Sequence, residues 1–164
     1  MKCIDFLFSN EERSVAAACR GYSDDDLQKI GRFYNILIEG QLKSFLSDMG
    51  RTDGGVIGDS LVQLYRPTWS ARTHLIFQLD FFTQLQELGF YEFLNKPFVF
   101  SFISETQYYF VQTSRGQQDA VYHYDSNKDT VVKTEWDLFG FLAKLKEGNS
   151  RSVKIDCVGD LIAI

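Results

Sequence analysis

YYFVQTSRGQQDAVYHYD, residues 108–125, sets two aromatic stretches on either side of a polar loop. Side chains two apart share one face of a strand. Tyr108, Phe110 and Gln112 therefore oppose Tyr109, Val111 and Thr113, and the loop from Ser114 to Asp119 turns the chain back toward a second strand. The same period of two extends in both directions, predicting a meander of four strands at Phe98–Ile103, Tyr108–Thr113, Ala120–Asp125 and Thr130–Lys133. Alternation puts Phe98, Phe100 and Phe102 on one face.

Upstream of Pro97 the apolar period lengthens to that of helices. Ser23 followed by Asp24, Asp25 and Asp26 is a helix start, with carboxylates at the positive end of the dipole. Leu27, Ile30, Tyr34 and Leu37 then form one stripe. After Gly40, which makes a corner, a second stripe of Leu42, Phe45, Leu46 and Met49 ends at Gly50, read as a left-handed stop. A third helix from Ser70 to Leu88 presents Leu75, Leu79, Phe82 and Leu85, and Gly89 closes it. Ser9 with Glu12, and Thr134 with Asp137, have capping-box spacing. The first predicts a short helix through Ala16–Ala18, the second a helix carrying Trp136, Leu138, Phe141, Leu142 and Leu145. Val153, Ile155 and Cys157 alternate as a last edge strand. The expected fold class is α+β: one domain over residues 1–164, N-terminal helices packed on an antiparallel meander of four to six strands, and a C-terminal helix.

Composition narrows function. A net charge of −5 argues against direct binding of nucleic acid, whose phosphates demand a basic surface, and favours a basic protein partner. Cys3, Cys19 and Cys157 are odd in number, far apart and without a Cys-x-x-Cys pair, which suits reduced thiols in the cytoplasm better than zinc or a disulfide framework. VAAAC, residues 15–19, ends like a lipoprotein cleavage box, but Glu11, Glu12 and Arg13 stand where an apolar segment is required. No apolar run approaches the roughly 18 residues that span a bilayer. The glycine-rich RTDGG and GDS stretches lack a phosphate-binding lysine pattern, and the splayed DDD is a helix cap before it is a metal site. His74 and His123 sit in no nucleophile or metal motif, so no catalytic residue, metal ligand or cofactor is assigned.

The order of these features carries a resemblance. LQKIGRFYNIL runs into QLKSFLSDMGRTDGG, then a linker helix, then KPFVFSFISETQYYFVQTSRGQQDAVYHYD and TEWDLFGFLAKL. The series resembles the SUKH superfamily over about residues 23–147, leaving 1–22 and 148–164 as extensions. IEG, residues 38–40, stands where many members have Leu-Pro. The resemblance implies an immunity protein that binds and neutralises a cognate toxin, basic and commonly a nuclease, by occluding its surface. The alternative it implies is a regulatory scaffold that binds endogenous proteins. If helices cover only one face of the meander, tyrosines on the other are suited to partner contact. The expected partner-binding residues are the charged Glu105, Arg115, Asp119, Asp125 and Asp129, at or near the strand connections, and the aromatic Tyr109, Tyr122 and Tyr124.

Overall fold

The meander forms as an antiparallel sheet of four strands in chain order, β1 (Pro97–Ile103), β2 (Gln107–Gln112), β3 (Ala120–Asp125) and β4 (Thr130–Asp137). Its coordinates are those of a computed structural model, which describes residues 1–114, 119–148 and 158–164. Arg115 and the edge strand expected at Val153–Cys157 lie outside the described residues. The described helices are α1 (Cys3–Leu7), α2 (Arg13–Ala16), α3 (Asp24–Phe33), α4 (Gly40–Met49), α5 (Ala71–Glu87) and α6 (Leu138–Gly148). The chain is thus an α+β fold.

Helices cover both faces of the sheet, not one. On the first face Phe98, Phe100, Val111 and Val121 join a core built from α3, α4 and α6 through Ile30, Phe45, Leu46, Phe141 and Leu142. On the second face Val99, Phe110, Tyr122 and Tyr124 meet Phe81 and Leu85 of α5. This corrects the expectation that Tyr122 and Tyr124 serve partner contact. They are 8% and 0% exposed, because alternation aims them at α5, where Tyr124 meets Phe81 edge-on at 6.0 Å and Tyr122 meets Phe93 at 5.6 Å.

A bulge in β1 corrects a second expectation. Val99 pairs with Phe110 but Ser101 pairs with Tyr109, so Phe100 is an extra residue. Phe98 and Phe100 remain on the first face, while Phe102 turns to the second and packs on Tyr108 at 4.6 Å. Gln78 of α5 caps the outer edge of β1 there. Val99 N–H donates to its Oε1 at 2.9 Å, and its Nε2 donates to Val99 O at 2.8 Å. Gln63 Nε2 donates to the same carbonyl at 2.7 Å. Backbone groups that would template another strand are thereby satisfied within the chain.

This anchoring sets the face of α5. The buried side is Ala71, His74, Phe81 and Leu85, whereas Leu79, expected inside, is 55% exposed and Phe82 half-buried. Elsewhere the capping residues act as their chemistry dictates, with shifts in place. Ser23 Oγ accepts the Asp26 N–H, and α3 ends at Phe33, so Leu37 lies beyond it in the connection to α4. The Ser9–Glu12 box forms, but it opens a 3-10 turn at Asn10–Glu12 followed by α2, earlier than Ala16–Ala18. Thr134 stays in β4, its Oγ1 donating to Val121 O, and Asp137 caps α6 by accepting the Gly140 N–H at 2.8 Å. Gly50 ends α4 with φ −65, not left-handed. A Cβ there would meet Tyr22 Cδ2 at 2.8 Å and Leu46 O at 2.6 Å, so the glycine serves close packing.

Both flanking segments enter the core. Cys3 is buried, with its N–H on Ser44 Oγ at 2.8 Å, and Lys146 ties α6 to Glu12 at 2.9 Å. Leu161 is stitched between Tyr22 and Tyr34: its N–H donates to Tyr22 Oη at 3.0 Å and its carbonyl accepts from Tyr34 Oη at 2.8 Å.

Candidate functional site

Two tight turns meet at one end of the sheet. Ser104, Glu105 and Thr106 join β1 to β2; Ser104 and Glu105 are both left-handed, with φ 55 and 57 and no glycine, and the Thr106 N–H closes the turn on Ile103 O at 3.3 Å. In the β3–β4 turn, Asn127 N–H donates to Asp125 Oδ1 at 2.9 Å, and Asp129 has φ 50. Ser126 N–H donates to Thr106 O at 2.9 Å and locks the two turns together. Glu105, Asp125 and Asp129 are thus gathered at a single rim. Asp80 of α5 reaches the same end: together with Glu105 it reinforces burial in lifting the Tyr108 phenol above its usual pKa. Among the described residues none of these four carboxylates joins an ion pair, although Lys128 lies close enough to act on Asp125.

Asp119 is elsewhere. It lies at the end of the β2–β3 connection, at the opposite end of strands six residues long, which is roughly 20 Å away. Its carboxylate is committed to structure. Asp119 Oδ1 accepts the Gln41 N–H at 2.9 Å, capping α4, while its carbonyl accepts the Leu138 N–H at 2.9 Å. Gln41 reciprocates toward α6, with Nε2 donating to Asp137 Oδ2 at 2.9 Å and Oε1 accepting the Phe139 N–H at 3.0 Å. Gly40 enters this junction with φ 57, and a Cβ there would lie 2.7 Å from Asp119 Oδ1.

Beside the acidic rim, the first face of the sheet is only partly covered. Tyr109, half-buried, lies flat on His123 at 4.6 Å with an interplanar angle of 10° and touches Phe141 at 4.5 Å on the core side. His123 Nε2 lies 2.5 Å from Gln107 Oε1; an amide oxygen only accepts, so the ring carries its proton on Nε2. Burial holds the His123 pKa below its ordinary value, against the pull of Asp125. Val132, paired with His123 across the β3–β4 ladder, is 52% exposed. Gln107, Tyr109, His123 and Val132 form a platform with a flat aromatic centre, bordered by Asp125. Of the expected site residues, Glu105, Tyr109, Asp125 and Asp129 come together, Asp119 does not, and Tyr122 and Tyr124 lie inside.

The other polar features have local roles. Asp53, in the glycine-rich loop, is buried and accepts the Gly55 N–H at 2.9 Å and the Ile57 N–H at 3.2 Å. A cleft of about 460 Å³ is lined by Phe6, Gly40, Gln41, Asp119 and Phe139 among others, and its one carboxylate among the described residues is the Asp119 cap. Another, of about 390 Å³, is mainly apolar, with Ile30, Phe33 and Leu161 in its walls and Lys29, paired with Asp25, at its edge. Among the described residues no three His, Cys, Asp or Glu side chains gather as they would around a metal ion. No described helix is long and apolar enough to cross a membrane. Comparison with protein-family models, curated proteins and solved structures finds no match for this chain.

The platform members Gln107, His123 and Val132 are absent from the residues read as partner-binding in the sequence. His123 and Val132 are visible only once the β3–β4 register is known; alternation of His123 with the tyrosines around it was the available signal.

Proposed function

We propose that this chain is an immunity protein, which binds a basic toxin through the acidic rim and the Tyr109–His123 platform and neutralises it by covering its surface. The observation that carries this reading is the group of Asp80, Glu105, Asp125 and Asp129 at one end of the sheet without ion-pair partners among the described residues, next to a half-buried aromatic surface. Carboxylates clustered without counter-charges speed encounter with a cationic groove, such as that with which a nuclease holds phosphates. The rings supply a centre from which water is excluded. The SUKH resemblance supplies the class of partner; the regulatory scaffold is the competing reading.

Recovery of partners from the native cell, followed by association kinetics with the product of the adjacent gene, tests the proposal. Asp80→Lys with Glu105→Lys, both exposed, should slow association about tenfold at low salt and much less at high salt. Absence of association with the adjacent product at micromolar concentration removes support for the toxin reading, and recovery of several endogenous proteins instead favours the scaffold.

A further inference from the structure

At the outer edge of β1, a 3-10 turn at Gln63–Tyr65, whose Leu64 and Tyr65 belong to the first-face core, brings Arg66 to rings of the second face. Its guanidinium carbon lies 4.7 Å from the centre of the Trp69 ring and 5.8 Å from that of Phe102. Both rings thus lie within cation–π reach of the guanidinium. Arg66 is half-buried and, among the described residues, has no carboxylate partner. From it a line of half-buried rings continues, Trp69 to Phe77 at 5.3 Å, Phe77 to Phe102 at 5.0 Å and Phe102 to Tyr108 at 4.6 Å. Behind Trp69, at 5.1 Å, lies His74, 1% exposed, neither of whose ring nitrogens has a hydrogen-bond partner among the described residues.

We propose that Arg66, framed by Trp69 and Phe102, anchors a second docking surface that takes the carboxylate of an acidic side chain from a peptide with apolar neighbours. The guanidinium fork matches a carboxylate with two parallel hydrogen bonds. A phosphate fits less well: one guanidinium is the anchor, and Asp80 and Glu105, beside Tyr108 at the far end of the ring line, oppose further negative charge. Trp69, Phe77 and Phe102 offer flat apolar area to the residues flanking the acid, and arginine with large aromatics is the composition of binding hot spots. This site is on the opposite face from the Tyr109–His123 platform and does not rest on the toxin reading.

The test uses the full chain carrying Trp136→Phe, so that Trp69 is the indole reporter. The probes are the blocked peptides Ac-Leu-Glu-Phe-NH2 and Ac-Leu-Gln-Phe-NH2, followed by NMR up to about 10 mM, since one anchor gives weak affinity. The Arg66 Nε–H and Trp69 Nε1–H signals should shift saturably with the glutamate peptide and bind the glutamine peptide about tenfold more weakly. Arg66→Lys keeps a cation over the rings but loses the fork, and should weaken the glutamate peptide by a similar factor with an unchanged circular dichroism spectrum. Equal response to the two peptides, no saturable shift, or competition by inorganic phosphate as effective as the peptide itself overturns the assignment. The Asp80→Lys, Glu105→Lys variant should bind the glutamate peptide at least as tightly while losing fast association with a basic partner, which separates failure here from failure of the toxin reading.

Discussion

Acidification should destabilise this protein through His74, and replacing His74 with leucine should remove that contribution. The ring is 1% exposed, packed edge-on against Trp69, and both nitrogens lack a hydrogen-bond partner among the described residues. Burial, assisted by the charge of Arg66, pushes its pKa from 6.5 down to about 4. Between those values the unfolded chain binds a proton that the folded protein refuses. Stability is therefore fully present above pH 6.5, is lost as pH falls, and stops falling from this source below about pH 4. At about 1.4 kcal/mol per pH unit the whole loss is on the order of 3 kcal/mol, a large part of the ordinary stability of a domain. His123, also held below its ordinary pKa by burial, adds a slope of the same sign, so the comparison must be between proteins. Urea unfolding of the native protein and of His74→Leu, from pH 7 to pH 4.5, should show the native protein losing about 2–3 kcal/mol more than the variant. Leucine at that site also removes two unpaired polar atoms, so the variant should match or exceed the native protein at pH 7. Parallel stability curves, or a His74 ring proton that titrates near 6.5 in the folded state, would refute the reasoning.

Gly40→Ala forces a Cβ into the Asp119 carboxylate at a residue with φ 57, and should cost roughly 1–3 kcal/mol by thermal or urea unfolding. An unchanged midpoint would show that the α4 corner does not depend on that glycine. On α5, Leu79→Glu should change stability by no more than about 0.5 kcal/mol, because the side chain is 55% exposed, whereas Phe81→Ala should cost about 3–5 kcal/mol. The reverse order would mean that the helix buries its other stripe.

Much of this architecture is dictated locally. The four strands, the Ser23 cap and the acidic first turn of α3 follow from alternation and from hydrogen bonds that span three or four residues, which a chain makes wherever it is placed. So does the break at Gly40, where φ 57 suits glycine. Those features are legible because their causes are neighbours in sequence.

The surface was decided otherwise. α5 is expected to bury Leu75, Leu79, Phe82 and Leu85 but buries Ala71, His74, Phe81 and Leu85; only Leu85 is common to the two sets, and nothing in the helix's own period chooses between them. Gln78 chooses, by closing two hydrogen bonds on Val99 in β1, 21 residues away in the chain. With α5 oriented in this way, Tyr122 and Tyr124 become core and Tyr109 remains half-open. The bulge at Phe100 moves Phe102 beside Tyr108, and so builds the ring line that holds Arg66. Which aromatic is buried and which is presented is a matter of what packs across the sheet, and long-range pairing settles that only when the chain has closed on itself.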